Sequence, residues 1–97
     1  MEAATLTKLA RETAERRVGK DMVRDVNVSN YMDAAGEPAF DVLIVISKFD
    51  PDVLSSAVRH EIGRALYRAL TENGDQRYPF VRFVPEDELA ETAANDD

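Results

Sequence analysis

Apolar residues recur along this chain with two periods, near two and near 3.6, and the changes from one to the other mark its elements. The stretch Phe40-Asp41-Val42-Leu43-Ile44-Val45-Ile46 is an almost unbroken apolar run of strand length. Apolar side chains at both odd and even positions predict a strand buried on both faces, at the centre of a sheet. Before it, residues 22–32 alternate, with Met22, Val26, Val28 and Met32 at even positions and Asp25, Asn27 and Ser29 at odd ones. That pattern is a strand with one buried face. Between the two lies Asp33-Ala34-Ala35-Gly36-Glu37-Pro38, a stretch of turn residues in which Gly36 can take a positive φ. The pair therefore reads as a hairpin. Setting Met32 opposite Phe40 places Asn30 opposite Val42, Val28 opposite Ile44 and Val26 opposite Ile46, which merges the even faces into one apolar layer.

Helical periods flank the hairpin. Leu6, Leu9, Ala10, Thr13, Ala14 and Val18 predict a helix over about 5–18, stopped by Gly19. After the hairpin, Leu54, Val58, Ile62, Ala65, Leu66, Ala69 and Leu70 form a continuous stripe. Pro51 in a first turn and Asp50 as its cap predict that this helix starts near Asp50-Pro51 and runs to Gly74. Gly63 inside it costs about 1 kcal/mol against alanine, and close packing against the first helix is the expected reason. A third strand, about Phe80 to Val84, is bracketed by Pro79 and Pro85. Returning after a helix, it should lie parallel to the second strand. A short helix from Pro85 through Ala94 is also expected. The fold class is α+β in the order α-β-β-α-β, a three-stranded mixed sheet with its two main helices on one face.

Ninety-seven residues suit one domain, here residues 1–85. The net charge of -7 is unevenly spread: residues 86–97 hold six of the 19 acids and no base, leaving the preceding body at -1. This acidic C-terminal tail is expected to be partly disordered. Without cysteine there are no disulfides, thiolate metal sites or cysteine nucleophiles. No apolar run reaches the roughly 20 residues of a membrane span. Residues 1–5 lack the basic region and apolar core of an export signal, so a cytoplasmic location is expected.

Chemistry-bearing patterns are sparse. His60 is the lone histidine, with Ser56 one helical turn before it and Asp52 one turn earlier again. One helix cannot supply the converging directions and oxyanion hole of a triad, so no catalytic residue is expected. Neither a phosphate-loop glycine pattern nor metal-ligand spacing occurs, and no cofactor is expected. Two surfaces remain. On the sheet face away from the helices, Tyr31, Leu43, Val45, Phe80 and Val84 would form a mixed apolar patch, a candidate interface for a homodimer or a protein partner. On the second helix, Arg59, His60, Arg64 and Arg68 form a basic face, a candidate polyanion site. Arg16, Arg17, Lys20 and Arg24 could extend it if the helices lie side by side.

The α-β-β-α-β order resembles, in topology, KH-like RNA-binding domains of the ribosome-factor kind and cytoplasmic regulatory domains that dimerise through a sheet. The G-x-x-G loop of KH domains is missing here. The sequence is read as a small non-enzymatic interaction or accessory domain that self-associates through its open sheet face. RNA binding through the basic helix face is the alternative, and a small-ligand-binding or enzymatic domain the weaker one.

Overall fold

A computed structural model of the chain describes residues 1–89. It comprises α1 (Ala3–Val18), β1 (Val23–Met32), β2 (Pro38–Ile46), α2 (Ser56–Glu72) and β3 (Tyr78–Pro85), followed by a helical turn over 86–89. The expected continuation of that last helix to Ala94, and the disorder expected of the tail beyond Leu89, lie outside the described residues.

The sheet has the order β1-β2-β3, with β1 antiparallel and β3 parallel to the central β2. The apolar doubling of β2 thus has its expected cause. The hairpin register differs from the expected one by two residues: Asn30 pairs with Phe40, Val28 with Val42 and Val26 with Ile44. The loop is tighter than its composition suggests. The Asp33 N–H donates to the Glu37 carbonyl at 3.0 Å, and the Asp33 carboxylate accepts from the N–H groups of Ala35 and Glu37 at 3.0 and 2.8 Å. Gly36 closes it at φ +81°. A shift of two leaves every side chain on its expected face. A bulge between Val23 and Asp25 then turns Val23 into the core opposite Ile46.

Helix α2 begins at Ser56, later than the expected Asp50-Pro51. Asp50 does cap a turn, its carboxylate accepting from the Asp52 N–H and its carbonyl from Val53 and Leu54. That turn stops there, and Leu54 drops fully into the core. A second cap then starts the helix: the Ser55 hydroxyl accepts from the Val58 N–H at 3.2 Å.

Both helices pack on the same face of the sheet and against each other. Leu6, Ala10 and Ala14 of α1 and Ile62, Leu66 and Leu70 of α2 close over Val26, Phe40, Val42, Ile44 and Ile46. Val28, expected in that layer, is half-buried at its margin. One polar clasp ties Met1 to the loop between α2 and β3. The Met1 ammonium lies 2.7 Å from Asp75, and Arg77 bonds both the Asp75 carboxylate and the Met1 carbonyl. The Arg77 guanidinium also sits 4.0 Å from the centroid of the Phe40 ring. Its hydrogen bonds hold the Asp75 carboxyl well below the usual carboxylate range, against the opposing effect of burial.

Candidate functional site

Strand β3 is an edge strand, and its pairing with β2 fixes which way each side chain points. Tyr78, Phe80, Arg82 and Val84 share the face of Ala39, Asp41, Leu43 and Val45, away from the helices. Tyr31 reaches the same face from β1, opposite Ala39. Of the expected interface residues, Tyr31 and Phe80 are exposed, at 50% and 38%, whereas Leu43 and Val84 are half-buried and Val45 is only 3% exposed. The surface available on this face is therefore aromatic, and it lies at the Tyr31 end. Tyr31 meets Phe80 edge-on at 5.7 Å between centroids, and Phe80 meets Tyr78 at 4.9 Å. Tyr78 in turn contacts Tyr67 of α2 at 5.5 Å, carrying the aromatic cluster around the sheet edge. Leu89 is exposed.

Between α2 and β3 runs an open groove of about 930 Å³. Arg59, His60, Gly63 and Arg64 form one wall, Pro79 to Phe83 the other, and the Tyr67–Tyr78 pair lies across it. Three of the four expected polyanion-binding residues thus line one groove; Arg68 lies a turn further on. Among the described residues, His60, Arg64 and Arg68 have no carboxylate partner, and Arg59 rests over the Phe49 ring at 5.6 Å. The second basic cluster is half neutralised: Arg17 pairs with Glu61 at 2.8 Å and Arg24 with Glu86 at 3.6 Å, while Arg16 and Lys20 have no carboxylate partner among the described residues. Glu61 therefore neutralises the point where the two clusters would join. Arg82 is also neutralised, by two hydrogen bonds to Asp41 at 3.0 and 2.9 Å.

Gly63 does not serve close helix packing. A Cβ built on it meets nothing within 4 Å, so the position faces open space. It leaves a gap in the groove wall between His60 and Arg64.

Strand β3 also presents an unpaired backbone edge. Proline has no donor for a sheet ladder, so within a strand its nitrogen faces away from the neighbour. Pro79 and Pro85 both pair in register with β2 and share parity with Val81 and Phe83. The N–H and C=O groups of Val81 and Phe83 therefore point outward, into the groove, and no described residue bonds to them. Pro79 and Pro85 close this window at either end.

Among the described residues, no hydrogen bond joins Asp52, Ser56 and His60, and no three acidic or histidine side chains are placed to share a metal ion. Nor is any described helix long and apolar enough to cross a membrane. Comparison with protein-family models, curated proteins and solved structures finds no match for the chain. Sequence reasoning missed Tyr67 and Tyr78 as site residues. Their signals were present: Tyr78 shares the parity of Phe80, and Tyr67 follows Gly63 by one helical turn.

Proposed function

We propose that this chain is a cytoplasmic protein–protein interaction or accessory domain, whose contact surface is the aromatic corner where the open sheet face turns onto the α2–β3 groove. The observation that carries the proposal is the cluster of Tyr31, Tyr67, Tyr78 and Phe80, all at least 38% exposed, beside arginines with no carboxylate partner among the described residues. Tyrosine, phenylalanine and arginine are the residues in which protein interfaces and their hot spots are enriched. In its homodimeric form, two open sheet faces meet around Tyr31 and Phe80. Light scattering over a range of concentrations tests this. The wild type should approach dimer mass at high concentration and Phe80→Asp should stay monomeric. A wild type that remains monomeric throughout rules out the homodimer and leaves a different chain as partner.

RNA binding is the second reading, supported by the same arginines beside aromatic rings on which bases could stack. The near-neutral body weighs against it. Single-stranded RNA should then bind more weakly as salt rises, and Arg64→Glu with Arg68→Glu should abolish binding. Removing residues 86–97, with their six acids, should strengthen binding at low salt.

A further inference from the structure

The α2–β3 groove combines three features that no packing requirement accounts for. Gly63 carries the cost of a mid-helix glycine while a Cβ there would touch nothing. Arg64 and His60 have no carboxylate partner among the described residues. The backbone of Val81 and Phe83 faces outward without a partner, between two prolines. An edge strand beside a helix is the arrangement in which an extended segment can add to a sheet, its main chain bonding the edge and its alternate side chains entering the flanking groove.

We propose that an extended acidic segment of a partner protein adds to β3 as a fourth strand, lying in the α2–β3 groove. This rests on the reading of the chain as an interaction domain and names the chemistry of its partner. Side chains of an added strand alternate between the two faces. Those on the helix side meet Arg59, His60 and Arg64, which select carboxylates. Those on the other side meet Phe80 and the Arg82–Asp41 pair, whose charges are already matched, so uncharged and apolar groups suit that face. The recognised pattern is therefore acidic and apolar residues in strict alternation. Only Val81 and Phe83 offer donors, so the paired stretch is short. The space beside Gly63 lets the added segment approach the helix closely.

Charge decides against a second copy of this chain at the same edge. A two-fold pairing centred between Val81 and Phe83 would set each Arg82–Asp41 pair against its symmetry mate and bring no opposite charge to Arg59, His60 or Arg64. An acidic strand meets the reverse situation.

The test uses the full chain and a synthetic peptide of about eight residues, a common strand length, alternating glutamate with valine and threonine. Amide NMR spectra should show the Val81 and Phe83 signals shifting on titration and their hydrogen exchange slowing. A peptide of the same composition with its glutamates in one block should bind at least tenfold more weakly, as should a lysine-for-glutamate version. Arg64→Glu should weaken binding at least tenfold. Gly63→Gln, which fills the gap with a good helix former, should do the same while keeping or raising the melting temperature. Binding that leaves Val81 and Phe83 unmoved, or that survives both substitutions, overturns strand addition. So does failure of the peptide to bind. If single-stranded RNA shifts these amides and the peptide does not, the groove is a polyanion site and the proposal fails. Loss of the peptide result alongside a dimer abolished by Phe80→Asp refutes this inference but leaves the interaction-domain reading intact.

Discussion

The two flanks of the sheet are built from similar materials and treated differently. On the β1 side, three of the four arginines are matched: Arg11 lies near Glu15 and Asp25, Arg17 bonds Glu61, and Arg24 pairs with Glu86. Helix α1 places Leu6, Ala10, Thr13 and Ala14 in the core. On the β3 side, Arg64 and Arg68 have no carboxylate partner among the described residues, Tyr67, Tyr78 and Phe80 are exposed, and a glycine interrupts the helix without a Cβ there meeting anything. A flank serving only stability would have no use for these features. The difference is the motive for proposing that a partner binds on this side.

Substitutions can break or sharpen that contrast. The largest effect should fall on what both flanks share. Ile44 is fully buried in the central strand, and Ile44→Ala should cost roughly 2–5 kcal/mol in urea unfolding. A loss below about 1 kcal/mol would mean that the two helices do not close on one core.

Next comes the clasp leading into β3. Asp75→Asn removes the anion between Met1 and Arg77 and should cost roughly 1–3 kcal/mol at neutral pH. Because the Asp75 carboxyl titrates lower in the fold than in the unfolded chain, its contribution is complete above the ordinary carboxylate range. It is lost as pH falls through the folded value. The stability gap between wild type and Asp75→Asn should therefore narrow below about pH 4. A gap that widens on acidification would exclude this clasp.

A smaller effect tests where α2 begins. Ser55→Ala should cost about 1 kcal/mol, since it removes the cap that accepts from Val58. Asp50→Ala should cost less, because Asp50 caps only a turn. The reverse order would place the helix start at Asp50.

On the β3 side, Gly63→Ala should stabilise the protein by about 0.5–1 kcal/mol, read as a higher urea midpoint. Destabilisation would reveal a packing role and remove one of the asymmetries. The smallest expected effect is on the surface arginines. Arg17→Ala should cost roughly 0.2–1 kcal/mol through its ion pair, whereas Arg64→Ala should change stability by less than about 0.5 kcal/mol.

Much of this architecture was legible because periodicity survives tertiary context. The doubled apolar character of residues 40–46 identified the central strand, and the alternation in β1 assigned its faces correctly even though the pairing was two residues off. Parity is insensitive to an even slip, while register depends on how tightly Asp33 closes the loop. The start of α2 was misplaced because Asp50-Pro51 satisfies the local chemistry of a helix cap. Only the burial of Leu54, a tertiary effect, shows why the chain makes one turn and begins again at Ser55. The basic row of α2 was legible as a row. Its partner, the outward edge of β3, was not, because the groove between them exists only once the crossover brings two distant segments together. The sequence shows the cost of Gly63 but not its setting: the space beside it is open, and close helix packing is not its reason.

The prolines that bracket β3 have a consequence for the protein in bulk. A sheet with two free edges can in principle join head to tail, the β3 edge of one copy accepting the β1 edge of the next, and such an unclosed contact propagates into a filament. Here the bulge at Val23 and Asp25 disturbs only the start of the β1 edge, but the β3 edge offers donors only at Val81 and Phe83, between two prolines. Two donors, without the opposite charge that an acidic segment brings to the groove, are too few to hold copies in a growing ribbon. Concentrated solutions should therefore stay free of fibrils even when the chain is crowded with itself.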